Sequence, residues 1–412
     1  MVQFRVTLIA LVVLAACGPS ANRLALPPQI SAAERQTRAT SDGSSNYDLL
    51  HSFGNGSDGT APTAELVDVN GTFYGTTEAG GANDKGAVFS ISSTGAEHVL
   101  HSFGKGFDGA EPRGALIYLN GVLYGTTEGG GRHGQGRGSG YGTIFTITTG
   151  GKERVLHNFS YVDGANPEAA LIDVNGTLYG TTSSGVNAFG TVFSITPAGD
   201  LHVLHAFDDA DGEYPTARLV AVKGVLYGTT FAGGSGLDGT VFRMTLKGSL
   251  KDLYSFGSDF QEGYQPLAGL TDVNGTLYGT TALGGSHGDG IIFKISTSGK
   301  EELLHSFTGK DGSAPYGDLT HVNNMLYGTA RCGGAAYPNC ASSGAPSPGG
   351  TVFSATTSGK VTVLHSFSVK PNDGAQPAAG VIDVRNTLYG TTLYGGAYGK
   401  YGWGGSAFAL KL

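Results

Sequence analysis

The chain has 412 residues, of which 70 are glycine and only 14% are charged. Its formal net charge of -8 argues against a nucleic-acid partner, because neutralising phosphates requires clustered Lys and Arg. After the N-terminus, no segment is long and apolar enough to predict a membrane-spanning helix. Length alone suggests two or three domains, so the organisation of the chain must come from its sequence pattern.

The N-terminus has the pattern of a bacterial lipoprotein signal. Arg5 precedes an apolar run over residues 6–13, which predicts a signal peptide over residues 1–16. Residues 14–17 (Leu-Ala-Ala-Cys) resemble a lipobox, so Cys17 is expected to carry the lipid. The alternative is an ordinary secretory signal, with which Cys17 would be removed.

Residues 17–46 are predicted to be the lipidated cysteine and a flexible tether. This segment is polar, contains Pro27-Pro28 and shows no sustained periodicity. Gly18 after the cysteine resembles the outer-membrane sorting pattern, if the cell is Gram-negative. Two or three acyl chains hold a protein stably on a membrane. We therefore expect an exported protein that contacts the membrane of the cell envelope through its lipid anchor alone.

From Tyr47 to Leu412 the chain repeats one motif, Leu-Tyr-Gly-Thr-Thr, at intervals close to fifty residues. The seven copies, some lightly varied, begin at Phe73, Leu123, Leu178, Leu226, Leu277, Leu326 and Leu388. A fixed period of this size indicates a repeat architecture. Residues 47–412 are therefore predicted to form one domain.

Each repeat has the pattern of four short β-strands. In the third copy, residues 169–207, four apolar runs are separated by turn residues, and Asn175-Gly176 favours a two-residue type I′ hairpin. Seven four-stranded antiparallel meanders predict an all-β fold, a seven-bladed β-propeller. Tyr179 and its equivalents are expected to pack between blades. Gly180 is expected to let the adjacent blade approach closely.

The two chain ends predict how the ring closes. Residues 47–53 match the fourth strand of a repeat, and residues 406–412 match the third. The N-terminal strand should therefore join the C-terminal blade, which leaves no free sheet edge.

Two polar positions recur in the repeats. An acidic residue precedes Gly in the loop after each fourth strand, and a histidine recurs within that strand. The acids are Asp58, Asp108, Asp163, Asp211, Glu262, Asp311 and Asp373. The histidines are His51, His101, His157, His205, His305 and His365, with Tyr254 in the remaining copy. Asx turns explain the acids without any cofactor, and calcium held by these carboxylates and nearby carbonyls is the alternative. The histidines should hydrogen-bond locally, because one per blade cannot converge on a metal ion.

Function is expected where the repeat is broken, since the common pattern is scaffold. The loops between second and third strands are expanded in units two, six and seven, at residues 128–141, 331–349 and 393–404. These units are close together in a closed ring, so the loops should cluster on one side of one face. The candidate binding residues are Arg132, His133, Arg137, Tyr141, Arg331, Tyr394, Tyr398, Tyr401 and Trp403. Aromatic rings beside Arg can stack on sugars or clamp acidic groups. The alternative is that they only fold the loops over the rim.

Cys332 and Cys340 are the thiols that remain besides Cys17. An exported protein meets an oxidising compartment, so a disulfide that closes the sixth loop is predicted, with a stabilisation of about 2–3 kcal/mol. Zinc would need two further ligands, and no neighbouring His or Cys supplies them.

The LYGTT, GG and GTVFSI segments resemble those of the bacterial GloVer-repeat proteins, which are exported and have no defined activity. The resemblance covers nearly all of residues 47–412 and implies no catalytic residues. For catalysis, the only local acid clusters on the expected loop-rich face are Asp208 with Asp209 and Asp259 with Glu262, and these have the character of solvated turns.

We therefore expect a monomeric cell-envelope binding module whose partner is a glycan or an envelope protein. One alternative is a glycan hydrolase or lyase that uses the same face, and another is a purely structural envelope protein.

Overall fold

The computed structural model describes residues 46–133, 140–257, 259, 261–335, 349–368, 373–398 and 404–412. Within these ranges the chain is all-β and contains no helix. Seven sheets of four antiparallel strands form the blades of a β-propeller, and the described residues also contain one two-stranded sheet. The predicted fold class is confirmed.

The strands are numbered in chain order, starting from β1 (Tyr47–Ser52). Blade 1 contains β2 (Val67–Val69), β3 (Thr72–Thr77), β4 (Ala87–Ser92) and β5 (Glu97–Ser102). Blade 2 contains β6 (Ile117–Leu119), β7 (Val122–Thr127), β8 (Thr143–Thr148) and β9 (Glu153–Asn158). Blade 3 contains β10 (Ile172–Val174), β11 (Thr177–Thr182), β12 (Thr191–Ile195) and β13 (Leu201–Ala206). Blade 4 contains β14 (Val220–Val222), β15 (Val225–Thr230), β16 (Thr240–Thr245) and β17 (Leu250–Ser255).

Blade 5 contains β18 (Thr271–Val273), β19 (Thr276–Thr281), β20 (Ile291–Ser296) and β21 (Glu301–Ser306). Blade 6 contains β22 (Thr320–Val322), β23 (Met325–Ala330), β24 (Thr351–Thr356) and β25 (Val361–Ser366). Two short strands, β26 (Gly374–Ala375) and β29 (Tyr394–Gly395), pair with each other. Blade 7 contains β27 (Ile382–Asp383), β28 (Thr387–Thr392), β30 (Ser406–Lys411) and β1.

The ring closes between the two chain ends, as predicted. β1 runs antiparallel to β30, with Tyr47 opposite Leu410 and Ser52 opposite Ser406. The N-terminal strand is therefore the outer strand of blade 7, and its pairing with β30 joins the two chain ends in one sheet.

Local turn chemistry explains why the repeat forms a meander. Asn175 and Gly176 have φ values of 55° and 82°, the left-handed conformation that a type I′ hairpin requires at both central positions. The carboxylate of Asp173 accepts the Gly176 N–H at 2.8 Å and holds the turn. The same arrangement recurs in blade 5, where the carboxylate of Asp272 accepts the Gly275 N–H.

The hydrophobic core lies between the blades. Tyr179 and Val192 of blade 3 pack with Leu226 and Phe242 of blade 4 in one cluster. Tyr179 is 6% exposed; six of the seven motif tyrosines, Tyr179 included, are buried, and Tyr389 of blade 7 is half-buried. The prediction that these tyrosines are packing residues is confirmed.

The glycine of the motif has a different role from the one predicted. A Cβ at Gly180 would lie 2.7 Å from Leu171 Cδ2 and from Phe193 Cζ. Both residues belong to the same blade. The glycine therefore makes room for the side chains of its own blade, and the prediction that it admits the adjacent blade is wrong.

The penultimate threonine of each motif copy links neighbouring blades. Its hydroxyl donates to a backbone carbonyl just before the first strand of the next blade. The bonds are Thr76 to Gly114, Thr126 to Ala169, Thr181 to Ala217, Thr229 to Ala268, Thr280 to Pro315, Thr329 to Ala379 and Thr391 to Ala64. The last bond joins blade 7 to blade 1, so the ring of hydrogen bonds is continuous.

The propeller has two faces with different connections. The hairpins between first and second strands and the turns between third and fourth strands lie on one side, which we call the hairpin face. The longer loops, and the crossings from each fourth strand to the next blade, lie on the other side, the loop face. The first strands of all seven blades surround a central channel of about 1150 Å³.

Among the described residues, the structure contains no helix that could span a membrane.

Candidate functional site

In six repeats, the recurrent histidine lies within hydrogen-bond distance of the loop aspartate that follows it. In blade 1, Nε2 of His101 lies 3.0 Å from Oδ2 of Asp108, whose Oδ1 accepts the Gly104 N–H at 3.0 Å. The same His–Asp contact recurs at His51–Asp58, His157–Asp163, His205–Asp211, His305–Asp311 and His365–Asp373. The predicted local hydrogen bonding of the histidines is confirmed.

Most of these carboxylates accept a backbone N–H from a residue that precedes them, so they do not form the predicted Asx turn. An Asx turn would use a following N–H, whereas the Asp108 carboxylate accepts an N–H four residues before it. In blade 4, Tyr254 replaces the histidine and Glu262 replaces the aspartate. The Tyr254 hydroxyl donates to the Glu262 carboxylate at 2.8 Å. The paired replacement in the sequence was the available signal for this partnership. No group of three or more metal-binding side chains occurs among the described residues, and calcium at these loops stays an untested prediction.

Residues that break the sevenfold pattern meet on the loop face at blades 1 and 2. Glu78 directly follows β3, Arg113 precedes β6, and Glu128 directly follows β7. Nη2 of Arg113 donates to Oε1 of Glu78 at 2.8 Å, and its Nε lies 2.6 Å from Oε2 of Glu128. One guanidinium thus joins two carboxylates from neighbouring blades.

Burial dominates the electrostatics of this group. It raises the pKa of Glu128 to about 7, because the attraction of Arg113 offsets only part of the desolvation and Glu168 and Glu111 repel the charge. Burial likewise raises the pKa of Glu78. It acts to lower the pKa of Arg113, but the surrounding carboxylates outweigh it and raise that pKa. Arg113 therefore stays charged, while Glu128 changes its protonation state near neutral pH.

A second polar contact lies at blades 6 and 7. Arg331 directly follows β23, and its Nε donates to Oε1 of Gln376 at 3.2 Å. The guanidinium also lies over the ring of Tyr316, 5.1 Å from the centroid, in a cation–π arrangement. Both contacts fix the direction of the Arg331 side chain.

Tyr394 lies in the short strand β29, which pairs with β26 and follows β28 of blade 7, the blade between blades 6 and 1. Burial raises the pKa of its hydroxyl, Arg331 acts against this shift and Glu78 adds to it, so both charges act on one ring. Polar and aromatic side chains that break the repeat therefore occur on four consecutive blades, 6, 7, 1 and 2. We call this set the loop-face arc. It comprises Tyr316, Arg331, Gln376, Tyr394, Glu78, Arg113 and Glu128.

The structure brings two of the predicted binding residues, Arg331 and Tyr394, into the arc. Arg132 and His133 are exposed, and the Arg132 guanidinium lies 6.0 Å from the centroid of the Phe107 ring. These two positions belong to the expanded loop of blade 2.

Two further predicted binding residues have their own surroundings. Tyr141 lies 5.4 Å from Tyr161, measured between ring centroids. Tyr398 is 49% exposed. Arg137, Tyr401 and Trp403 lie outside the described residues.

The cysteine predictions are only partly within the described chain. Cys332 is 5% exposed, and its backbone pairs with that of Ser313. Cys340 and Cys17 lie outside the described residues, so the Cys332–Cys340 disulfide and lipidation stay predictions.

Sequence reasoning missed Glu78, Arg113 and Glu128. An alignment of the repeats holds a usable signal, because the residue after Leu-Tyr-Gly-Thr-Thr is Glu in units one and two but varies elsewhere. The acid pairs considered for catalysis behave largely as predicted. The carboxylates of Asp208 and Asp259 accept backbone N–H groups two residues later and so form turns.

Comparison of the sequence with known families adds an independent observation. Residues 37–137 and 134–340 match the Gloeobacter/Verrucomicrobia repeat. The chain belongs to this family. The resemblance to GloVer-repeat proteins that the motifs indicated is therefore confirmed, and no curated protein matches the chain.

The solved structures to which this GloVer chain is similar share little sequence with it. A gluconolactonase from Xanthomonas campestris is 13% identical, with a TM-score of 0.44, and the match covers 88% of this chain and 99% of that one. A puromycin-hydrolysing peptidase from Mycobacterium tuberculosis is 10% identical, with a TM-score of 0.49, over 84% of this chain and 52% of that one. Because both TM-scores are below 0.5, neither activity is assigned to this chain.

Proposed function

We propose that this GloVer-family propeller is an exported, lipid-anchored module of the cell envelope that binds glycans at the loop-face arc. The observation that carries the proposal is the gathering of repeat-breaking side chains across four consecutive blades. Scaffold positions are the same in every blade, whereas these positions differ from blade to blade. A site specific for one ligand needs such asymmetry in a sevenfold ring.

The chemistry of the arc suits a carbohydrate. Sugar rings present apolar faces that pack on aromatic rings, and their hydroxyls both donate and accept hydrogen bonds. Tyr316 and Tyr394 supply aromatic surface, and Glu78, Glu128 and Gln376 supply acceptors. Since both arginines are already held by protein partners, the site needs little ordering when a ligand binds.

The start of the propeller supports an accessible loop face. The carbonyl of Asn46 accepts the Lys411 N–H at 2.8 Å, where β1 begins and β30 ends on the hairpin face. A lipid anchor attached through residues 17–45 would thus connect to the hairpin face. The loop face would be free to meet a ligand away from the anchor.

A glycan panel tests the proposal. The chain from residue 46 onward is assayed for retention on immobilised polysaccharides, beside Tyr394→Ala and a Tyr398→Ala, Trp403→Ala double variant. Tyr118→Ala is the matched control, because Tyr118 is 39% exposed and lines the central channel from β6, away from the arc. We expect Tyr394→Ala to weaken retention by about two- to tenfold, since a lost stacking contact is worth about 0.5–1.5 kcal/mol.

Two results would contradict this assignment of the site. One is an equal loss in Tyr118→Ala, and the other is retention of no glycan by any of the proteins. The second result would favour an envelope protein as partner or a purely structural role.

One observation favours a second candidate, a glycan hydrolase or lyase. A carboxyl with a pKa of about 7, as in Glu128, is matched to general acid catalysis at neutral pH. An enzyme would change the chain length or the number of reducing ends of the retained glycan, and Glu128→Gln would abolish that change. A binding module would release the glycan unaltered.

A further inference from the structure

A second set of charged residues breaks the repeat at the central channel. The position two residues before the first strand of a blade is small in four blades and charged in three. The small residues are Ala115, Ala170, Gly269 and Gly380 in blades 2, 3, 5 and 7. The charged ones are Glu65, Arg218 and Asp318 in blades 1, 4 and 6. None of the three belongs to the loop-face arc.

The three charged side chains meet across the channel. Nη1 of Arg218 lies 3.6 Å from Oε2 of Glu65, and its Nη2 lies 3.0 Å from Oδ2 of Asp318. Blade 4 is a neighbour of neither blade 1 nor blade 6, so these contacts cannot run along the ring. All three residues precede their first strands, which places the ion pairs at the loop-face mouth of the channel.

Small residues in the intervening blades leave room for these ion pairs. The Gly269 N–H donates to Oδ1 of Asp318 at 2.5 Å. A Cβ at Gly269 would lie 3.1 Å from that oxygen and 2.8 Å from the Arg218 carbonyl oxygen. A Cβ at Gly380 would lie 3.2 Å from Oε1 of Glu65. The glycines at these positions therefore leave space at the mouth of the channel for the charged side chains of the other blades.

We propose that Glu65, Arg218 and Asp318 form a strap that closes the loop-face mouth of the central channel and couples blades 1, 4 and 6. In repeat proteins each unit contacts only its neighbours, so the inner strands can open one blade at a time. The strap adds contacts between blades that are not neighbours. Opening of β14 in blade 4 is then linked to opening of β2 and β22. Because the strap closes the loop-face mouth, the channel is entered from the hairpin face.

Hydrogen exchange of the whole protein tests the strap. Arg218→Met keeps an unbranched side chain but removes the charge. We expect amide exchange in β2, β14 and β22 to become about tenfold faster, a limited effect because the Arg218 side chain is 37% exposed and water screens part of the interaction. β6 and β10, in blades 2 and 3, should keep their exchange rates. Arg243→Met on β16 of blade 4 is the control and should leave β2 and β22 unchanged.

Two patterns would overturn the proposal. One is faster exchange confined to blade 4, which would show that Arg218 acts only locally. The other is an equal acceleration in all seven blades, which would show a general loss of stability.

If Arg218→Met fails to fold, Asp318→Asn decides by the same measurement. This change keeps the side-chain shape and removes one ion pair. The strap predicts faster exchange in β14 of blade 4 as well as in β22 of blade 6, and acceleration confined to blade 6 contradicts it. If Asp318→Asn exchanges like the unmodified protein in every blade, the strap is wrong.

Discussion

Removal of Arg113 is the substitution with the largest expected effect on the loop-face arc. Arg113→Met would leave the carboxylates of Glu78 and Glu128 without their shared cation. Removing one partner of a buried ion pair costs about 3–5 kcal/mol. The Arg113 side chain is 27% exposed, and the two carboxylates are 25% and 18% exposed. Water screens part of the interaction, so we expect a loss of about 2–3 kcal/mol in the free energy of unfolding at pH 8.

The loss should depend on pH in a defined direction. The folded-state pKa of Glu128, about 7, lies above the reference value of 4.5. A carboxyl with a raised pKa favours the folded state when protonated, and this contribution is lost as pH rises through the folded pKa. Without Arg113 the pKa of Glu128 rises further. The difference between variant and unmodified protein should therefore be largest at pH 8 and shrink toward pH 5.

Urea denaturation at pH 8 and pH 5 measures both effects. Lys294→Met is the control, because Lys294 and Glu302 form a pair at 3.0 Å whose side chains are 30% and 55% exposed. Pairs of this kind contribute about 0–1 kcal/mol. A loss below about 1 kcal/mol for Arg113→Met at pH 8, or an equal loss at both pH values, would refute the reasoning.

Three further substitutions test the scaffold. Gly180→Ala should lower the unfolding free energy by about 1–3 kcal/mol in urea, because the added methyl overlaps buried side chains of its own blade; an unchanged midpoint would contradict this. Thr391→Val removes the hydroxyl that donates to Ala64 and should lower the calorimetric Tm by about 2 °C, whereas Thr391→Ser should not. Burial opposes ionisation of Asp311, but hydrogen bonds from His305 and Thr308 lower its pKa to about 2, so its contribution to stability should be present above pH 3.8 and lost as pH falls through 2. His305→Ala should weaken this acid dependence in a pH series of urea midpoints.

Local signals were sufficient to predict the fold. Asn175-Gly176 specified a hairpin, the four short apolar runs of each repeat specified strands, and the matching chain ends specified ring closure. Each signal acts within a few residues, and all of them agree with the same meander. Seven repetitions of that agreement left one architecture for residues 47–412.

The candidate site could be predicted only in part, because it depends on contacts between residues that are far apart in the sequence. Glu78, Arg113 and Glu128 come from three separate segments, and their ion pairs exist only once blades 1 and 2 are packed together. Arg331 and Tyr394 were predicted because they lie in expanded loops. The role of Gly180 was misjudged, because the alternation of side chains along one strand does not show that Leu171 and Phe193 of the same blade fill the space beside it.

The central claim is that a glycan binds at the loop-face arc, and a hydrogen-exchange footprint tests it most directly. An oligosaccharide from the best-retained polysaccharide is added at saturation, and amide exchange is compared with that of the free protein. The account predicts slower exchange around Glu78, Arg113, Arg331 and Tyr394, with no change in the hairpin around Asn175. Protection confined to the hairpin face, or no protection at saturating oligosaccharide, would contradict it.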